Sequence, residues 1–232
     1  MKIDIRGSLK SSLLNTVTNR NAVVLDVGCG DGRIAGYLAQ HSKKVFALDP
    51  DKACVKSAKE ANEQKNLYFQ VGRGEALCFG PASFDSVLFC QSLHHVATQY
   101  QSAALQGAGS VLLEGGRLTI VEPVYRKGAL GEIFALYGRG KEAKHHAMKA
   151  AGSLGGRGFS CILDKEIQVD CACQGFEDLI NNHINKSRDK NWDESVEASV
   201  KSILNKCDAG PNGEIIMAYY VRVLSFEKAK HP

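Results

Sequence analysis

The chain has 232 residues, a net charge of +4, and apolar and charged shares of 44% and 23%, ordinary for a globular protein with a sizeable core. No run is long enough to span a bilayer and no apolar signal core opens the chain, so a cytoplasmic protein without a membrane span is expected. The mild positive charge does not require nucleic acid and is compatible with an anionic small substrate. The eight cysteines are scattered without C-x-x-C pairs, as suits a reducing compartment. Cys171-Ala172-Cys173 reads as part of a strand rather than a metal site, and no metal is expected.

In chain order, residues 1–20 are a short amphipathic lead-in, helical over 7–18. A β-branched run, Val23-Val24-Leu25-Asp26-Val27, then ends in Gly28-Cys29-Gly30-Asp31-Gly32, and a helical pattern follows at once over 32–41. Strand, turn and helix in this order open a doubly wound α/β fold and mark the seat of a nucleotide-like ligand. Gly28 and Gly30 allow a tight turn and a close approach of backbone to ligand. A dinucleotide site would read G-x-G-x-x-G and hold a pyrophosphate. Here Arg33 stands at the third glycine position and Asp26 precedes the first. A carboxylate there repels a pyrophosphate and suits an ammonium group.

The second strand, 44–50, ends in Asp49-Pro50, where such folds place a carboxylate on ribose hydroxyls. The alternative is that Asp49 or Asp51 caps the helix over 52–65. A third strand (67–71) leads to the loop Gly72-Arg73-Gly74-Glu75-Ala76-Leu77-Cys78-Phe79. A polar turn, Ser83-Phe84-Asp85, leads to a fourth strand ending at Cys90, and Gln91-Ser92-Leu93-His94-His95-Val96 follows. Ligands of open α/β sheets lie at the carboxyl ends of strands, which groups Cys90, Gln91, His94 and His95 with the glycine turn. A helix over 97–113, interrupted by Gly107 and Gly109, precedes a fifth strand that ends in Glu122-Pro123, on the ligand side.

These stretches carry a resemblance. Asp26-x-Gly28-x-Gly30-x-Gly32 resembles motif I of the class I S-adenosylmethionine (SAM) dependent methyltransferases. Gly72–Phe79 resembles that family's adenine loop, usually Gly-Asp-Ala-Glu-x-Leu-Pro-Phe, with Arg73 replacing the acid and Cys78 the proline. Ser83–Val87 resembles its S-F-D-x-V motif, and Leu113–Leu118 its L-x-P-G-G-R-L segment, with Glu114 replacing proline. The resemblance covers residues 22–123 well and the remainder loosely, and it points to the small-molecule, ubiquinone/menaquinone-like group. It implies a three-layer α/β/α Rossmann-like fold, with a seven-stranded, mostly parallel sheet whose last strand is antiparallel. It implies that Asp26 serves the methionyl amine of SAM and that Gly28, Cys29 and Gly30 lie along the methionyl part. Asp49 would hold the ribose, Pro50, Gly74, Glu75 and Ala76 would border the adenine, and Cys90 and Gln91 would flank the methionyl end. Arginine is donor-only, so a backbone carbonyl or Glu75 must take the adenine amino group. His94 matches a catalytic histidine of some small-molecule methyltransferases, and His95 is the second candidate base. The alternative is a histidine that packs on cofactor or caps the next helix.

Beyond Pro123, residues 128–150 read as helix, with cations at Arg139, Lys141, Lys144 and Lys149 and with His145 and His146 on a solvated face. That cation run is also suited to an anionic substrate. A glycine loop (152–158) reads as a hinge, 165–173 and 214–226 as the family's antiparallel pair, and 209–213 as a turn. Helices over 176–186 and 194–206 make residues 174–208 a lid within one domain spanning 1–232. The expected function is methyl transfer from SAM, giving S-adenosylhomocysteine (SAH), to a small-molecule acceptor. A SAM-binding regulator without catalysis and a methyltransferase of RNA or protein are the alternatives. The second is disfavoured because neither an arginine-rich tail nor a zinc motif is present. A dinucleotide oxidoreductase is disfavoured by Asp26 and Arg33.

Overall fold

The computed structural model describes residues 2–16, 19–136, 141–184 and 192–230. In chain order the elements are β1 (Lys2–Ile3), α1 (Ser8–Leu14), β2 (Val23–Val27), α2 (Arg33–Ala39), β3 (Lys44–Asp49), α3 (Lys52–Ala61) and β4 (Leu67–Val71). There follow β5 (Phe84–Cys90), a 3-10 turn (Leu93–His95), α4 (Thr98–Val111), β6 (Leu112–Pro123), α5 (Ala129–Leu136) and α6 (Lys141–Gly152). A second 3-10 turn (Ser153–Gly156), β7 (Phe159–Cys173), α7 (Phe176–His183), α8 (Glu194–Leu204), β8 (Asp208–Ala209) and β9 (Ile215–Lys228) complete the chain. The chain divides into two compact units, one made of residues 10–122, 142–165 and 223 onward, the other of 1–9, 123–141 and 166–222.

In the larger unit the strands lie in the order β9, β6, β5, β2, β3, β4. β6 through β4 are all parallel, with Leu25 opposite both Phe46 and Val87, and Val87 opposite Leu118. Lys228 Nζ donates to the Leu112 carbonyl, and Thr119 pairs with Ser225, so β9 descends as β6 climbs and runs antiparallel to it. The chain lays β3 and β4 on one side of β2 and then returns to lay β5 and β6 on the other. The strand ends at β2 are therefore a topological switch point, where a crevice opens.

Side chains alternate across the sheet with period two. Leu25 and Val27, Val87 and Phe89, and Leu118 and Ile120 all join one buried cluster with Ala104, Leu105, Ala108 and Val111 of α4 and Ala147 and Ala151 of α6. Helices α2 and α3 pack instead against β2, β3 and β4. The layers are α/β/α, as expected. Full burial of leucines such as Leu25 and Leu118 contributes roughly 1.5–3 kcal/mol each.

In the smaller unit β1 pairs antiparallel with β7 through Lys2–Ala172 and Ile3–Cys171, and β8 pairs antiparallel with β9 around the expected 209–213 turn. Arg6 bonds Asp170 at 2.7 Å, and α5 packs on α8. The two-residue strands β1 and β8 supplement the seven longer strands that were expected.

Several boundaries differ from the sequence reading. α3 ends at Ala61, short of the expected 65, and α4 runs unbroken through Gly107 and Gly109. Within 128–150 two helices are described, α5 and α6, and residues 137–140, including Arg139, lie outside the described residues. The glycine stretch 152–158 is largely helical. There Leu154 is buried, Ser153 Oγ donates to the Ala150 carbonyl, and Arg157 N–H donates to Leu154, so a buried anchor overrides the glycines' freedom. β7 starts at Phe159, ahead of the expected 165, because that ring packs on the core beside Gly109. Residues 185–191 of the expected lid and 17–18 of the expected lead-in helix also lie outside the described residues.

Candidate functional site

The glycine turn leaves β2 with Gly28 and Gly30 at φ +78° and +52°, left-handed conformations that favour glycine. Their surroundings differ. A Cβ on Gly28 would lie 2.5 Å from Ser92 Cβ, whereas one on Gly30 would meet nothing within 4 Å. Gly28 is a packing glycine, and Gly30 faces open space. Gly28 and Cys29 N–H both donate to the Leu48 carbonyl, at 2.7 and 3.0 Å, tying the turn to β3. Cys29 is buried, and burial together with Asp26 and Asp49 pushes its thiol well up, leaving it protonated and unreactive.

Asp26 is 1% exposed, and neither of its carboxylate oxygens has a hydrogen-bond partner among the described residues. An orphaned carboxylate is among the costliest groups to bury. Burial first, and the nearby Asp49 carboxylate second, push its pKa up to about 7. Asp49 ends β3. It accepts from Gly30 N–H at 2.9 Å and from Asp51 N–H at 2.9 Å. The helix cap belongs to Asp51, which accepts from Ala53 and Cys54 N–H at the start of α3. Pro50 follows at the surface.

In the loop after β4, Gly74 is buried, with Val27 and Phe89 within 3.3 Å of where a Cβ would stand. Ala76 is exposed, and its N–H donates to the Arg73 carbonyl. Arg73 forms an ion pair with Glu75 at 3.6 Å, mostly in solvent. The unusual arginine therefore tethers Glu75 and does not stand where an acceptor is needed.

β5 ends in Cys90 and the half-buried Gln91, whose φ of +56° is a strained value for a non-glycine residue. Such strain recurs at ligand sites. Gln91 N–H is held by the Val121 carbonyl, and Ser92 Oγ donates to the Val27 carbonyl at 2.5 Å. Leu93 is fully buried, and these anchors fix the 3-10 turn that carries His94 and His95.

Cys90 stands opposite Val121 in the parallel register, so Glu122 ends β6 beside this turn. Glu122 is fully buried. One of its oxygens accepts from His94 N–H at 3.2 Å, and the other bonds His94 Nδ1. With Nδ1–H donating to the carboxylate, Nε2 is the nitrogen left to face a ligand. The His94 and His95 rings lie 4.1 Å apart. Partial burial, then His94, then Lys144 push the His95 pKa down to about 4, opposed by Asp49, so His95 is neutral at physiological pH. His145 and His146 are exposed, as expected.

The sequence-predicted site residues from Asp26 to His95 thus lie at or just after the carboxyl ends of β2, β3, β4 and β5. Sequence reasoning had named Glu122 as a substrate neighbour without its link to His94, and it left Lys144 within a general cation run. The signal for the first was the parallel pairing of β5 with β6, and for the second the spacing Lys144, Ala147, Ala151 along one helix face.

Comparison with known proteins bears on the fold and its family. Residues 25–120 match the family described as a methyltransferase domain. Over this stretch the chain is similar to the class I SAM-dependent methyltransferases. It is 33% identical over 110 residues to an uncharacterized methyltransferase of Synechocystis, covering 47% of this chain and 51% of that one. It is 29% identical over 104 residues to a ubiquinone biosynthesis O-methyltransferase of Coxiella burnetii, covering 44% of each. The chain spans about half the length of the curated relatives it matches. A Bacillus halodurans structure described as a candidate methyltransferase has the same fold, with a TM-score of 0.68 at 19% identity over 96% of this chain and 99% of that one. The family's cofactor is SAM. Among the described residues no group of His, Cys, Asp and Glu is placed to hold a metal ion, and no helix is long and apolar enough to cross a membrane.

Proposed function

We propose that this protein transfers the methyl group of SAM to a small-molecule acceptor. The observation that carries the reading is Asp26, a buried carboxylate without a hydrogen-bond partner among the described residues, at a glycine turn. It fits a ligand that brings its own ammonium group. The open space at Gly30 and the Asp49 carboxylate beside it support the same ligand, with the ribose hydroxyls on Asp49 and the methionyl chain along Gly28, Cys29 and Gly30. Cys90 and Gln91 flank the methionyl end, while Pro50, Gly74, Glu75 and Ala76 border the adenine.

When bound, SAM supplies a methyl group already activated on a sulfonium sulfur. The protein's remaining work is alignment and proton removal. His94 is the base. Glu122 holds its Nδ1–H, so Nε2 is aimed at the acceptor and the imidazolium formed on proton uptake is stabilised by a buried carboxylate, the logic of a His–acid pair. An acceptor hydroxyl would give its proton to His94 Nε2, which would pass it to solvent, while bound SAM would supply the methyl group. His95 stays neutral and packs beside His94. A small acceptor is supported by the name of the ubiquinone biosynthesis relative.

Calorimetry with SAH tests the cofactor assignment, and a saturable, stoichiometric heat is expected. Labelled SAM incubated with a size-fractionated cell extract tests the transfer. Label should enter the low-mass fraction. No heat with SAH sinks the reading, and label entering only RNA or protein replaces the acceptor.

A further inference from the structure

Helix α6 presents Ala147 and Ala151 to the core cluster, and Met148 packs beside them. Lys144 stands three residues before Ala147 and seven before Ala151, on that same inward face. It is the charged member of an otherwise apolar stripe and is only partly exposed. Its backbone is pinned there as well. Gln101, 1% exposed on α4, donates through Nε2 to the carbonyl of Ala143 and to that of Val96, just after the histidines. Gln101 thus fastens α6 to the turn that carries His94 and His95.

Glu122 points to the same side. It continues the Leu118, Ile120 alternation of β6, whose side chains face α4 and α6. Lys144 therefore lies on the side to which Glu122 points, near enough for its charge to bear on Glu122 and on His95. Burial pushes the Lys144 ammonium below its ordinary range, and Glu122 pulls it part of the way back. Four titratable groups come together from neighbouring elements at this end of the sheet. They are Glu122 from β6, His94 and His95 from the 3-10 turn, and Lys144 from α6, with Asp49 acting on His95 from β3.

We propose that Lys144 is the acceptor-binding cation of this site and that the acceptor is an acidic hydroxyl, a phenol or an enol, held with its oxygen as the anion. As His94 takes the hydroxyl proton, the negative oxygen is met by the new imidazolium, whose charge Glu122 shares. A second cation on that side favours an acceptor that carries negative charge on or beside the reacting oxygen. A neutral amine or an aliphatic alcohol would gain nothing from it. Loss of Lys144 leaves the cofactor residues untouched, because Asp26, Gly30 and Asp49 belong to other strand ends.

This inference rests on the methyltransferase reading, so the test has two arms. In the first, SAH is titrated into wild type, Lys144→Met and Lys144→Arg, and equal affinity is expected for all three. Absence of SAH binding to wild type would fail the methyltransferase reading itself. In the second, 4-nitrophenol is added to the SAH-loaded proteins at a pH where the free phenol is neutral, and the yellow phenolate band is followed. Wild type should bind the probe and raise its phenolate fraction, Lys144→Arg should keep most of that effect, and Lys144→Met should lose at least tenfold in probe affinity, about 1.4 kcal/mol. Normal SAH binding with no phenolate formed on wild type, or the same phenolate on Lys144→Met, overturns the proposal.

Discussion

The turn at Asp26–Gly30 and the cluster at His94–Glu122–Lys144 lie at neighbouring strand ends but are built in opposite ways. The turn is backbone. Its glycines, its N–H groups and two carboxylates come from two short stretches, and each has a place in a recognisable order. The cluster is side chains from three elements, held by hydrogen bonds between residues 28 apart in the chain, such as His94 and Glu122. A common cofactor can be met by a fixed backbone, whereas an acceptor that differs from protein to protein must be met by interchangeable side chains.

The comparison breaks most visibly in turnover. His94→Ala should cut methyl transfer by about 10²- to 10⁴-fold, the usual worth of a positioned base. Glu122→Gln should fall within the same range, because an amide no longer selects the Nδ1–H tautomer. Neither should shift SAH affinity by more than about twofold. Imidazole nitrogen shifts in Glu122→Gln should show His94 losing its fixed tautomer. A fixed tautomer in that variant would remove Glu122 from the positioning role.

Asp49→Ala acts on the other region. Two charge-assisted hydrogen bonds to ribose would be lost, each worth roughly 1.5–3 kcal/mol, so SAH affinity should drop by at least about 100-fold, read by calorimetry. Asp51 still caps α3, and the helix should persist by circular dichroism. Undiminished affinity would detach Asp49 from the ribose.

The two glycines sharpen the contrast within the turn. Gly28→Ala drives a Cβ into Ser92, and overpacking of that kind costs typically 1–3 kcal/mol, so its melting temperature should fall. Gly30→Ala meets no protein atom. It carries only the left-handed backbone cost of roughly 1–2 kcal/mol, yet its Cβ enters the space left for ligand. It should lose some tenfold to a hundredfold in SAH affinity for a smaller loss of stability. The reverse ranking would place the ligand elsewhere.

The succession of the parallel strands along the chain, the glycine turn and the acid that ends β3 were all legible, since each follows from local pattern: β-branched runs, glycines, and an acid at a strand end. The helix–strand boundaries after Pro123 were less so. There Leu154 and Phe159 find buried sites that only the folded core supplies, and tertiary packing overrides the glycines' local preference. Arg73 read as an obstacle to adenine binding because sequence does not show that its charge is spent on Glu75. Lys144 looked like its neighbours Lys141 and Lys149 because its distinction lies in the direction of one helix face. Glu122 was visible as a strand end, but its two bonds to His94 depend on the register of β5 against β6.

The smallest expected effect is a proton. Asp26 has a pKa raised from 3.8 to about 7 in the folded protein. Between those values the folded chain holds a proton that the unfolded chain has released. Stability from this group is fully present below pH 3.8 and is lost as pH rises through about 7, a total of a few kcal/mol. Asp26→Asn should flatten that part of the stability–pH curve and stabilise the free protein above neutrality. Ligand binding carries the opposite slope. An ammonium group entering the turn favours ionised Asp26, so below about pH 7 binding must expel the proton, and affinity should fall by up to about tenfold per unit. Titrations of SAH between pH 5 and pH 7, in buffers of different ionisation enthalpy, should show up to about one proton released per ligand bound, and Asp26→Asn should show none. Equal proton release from that variant would mean that the linked group is not Asp26 and that the orphaned carboxylate does not receive the amine.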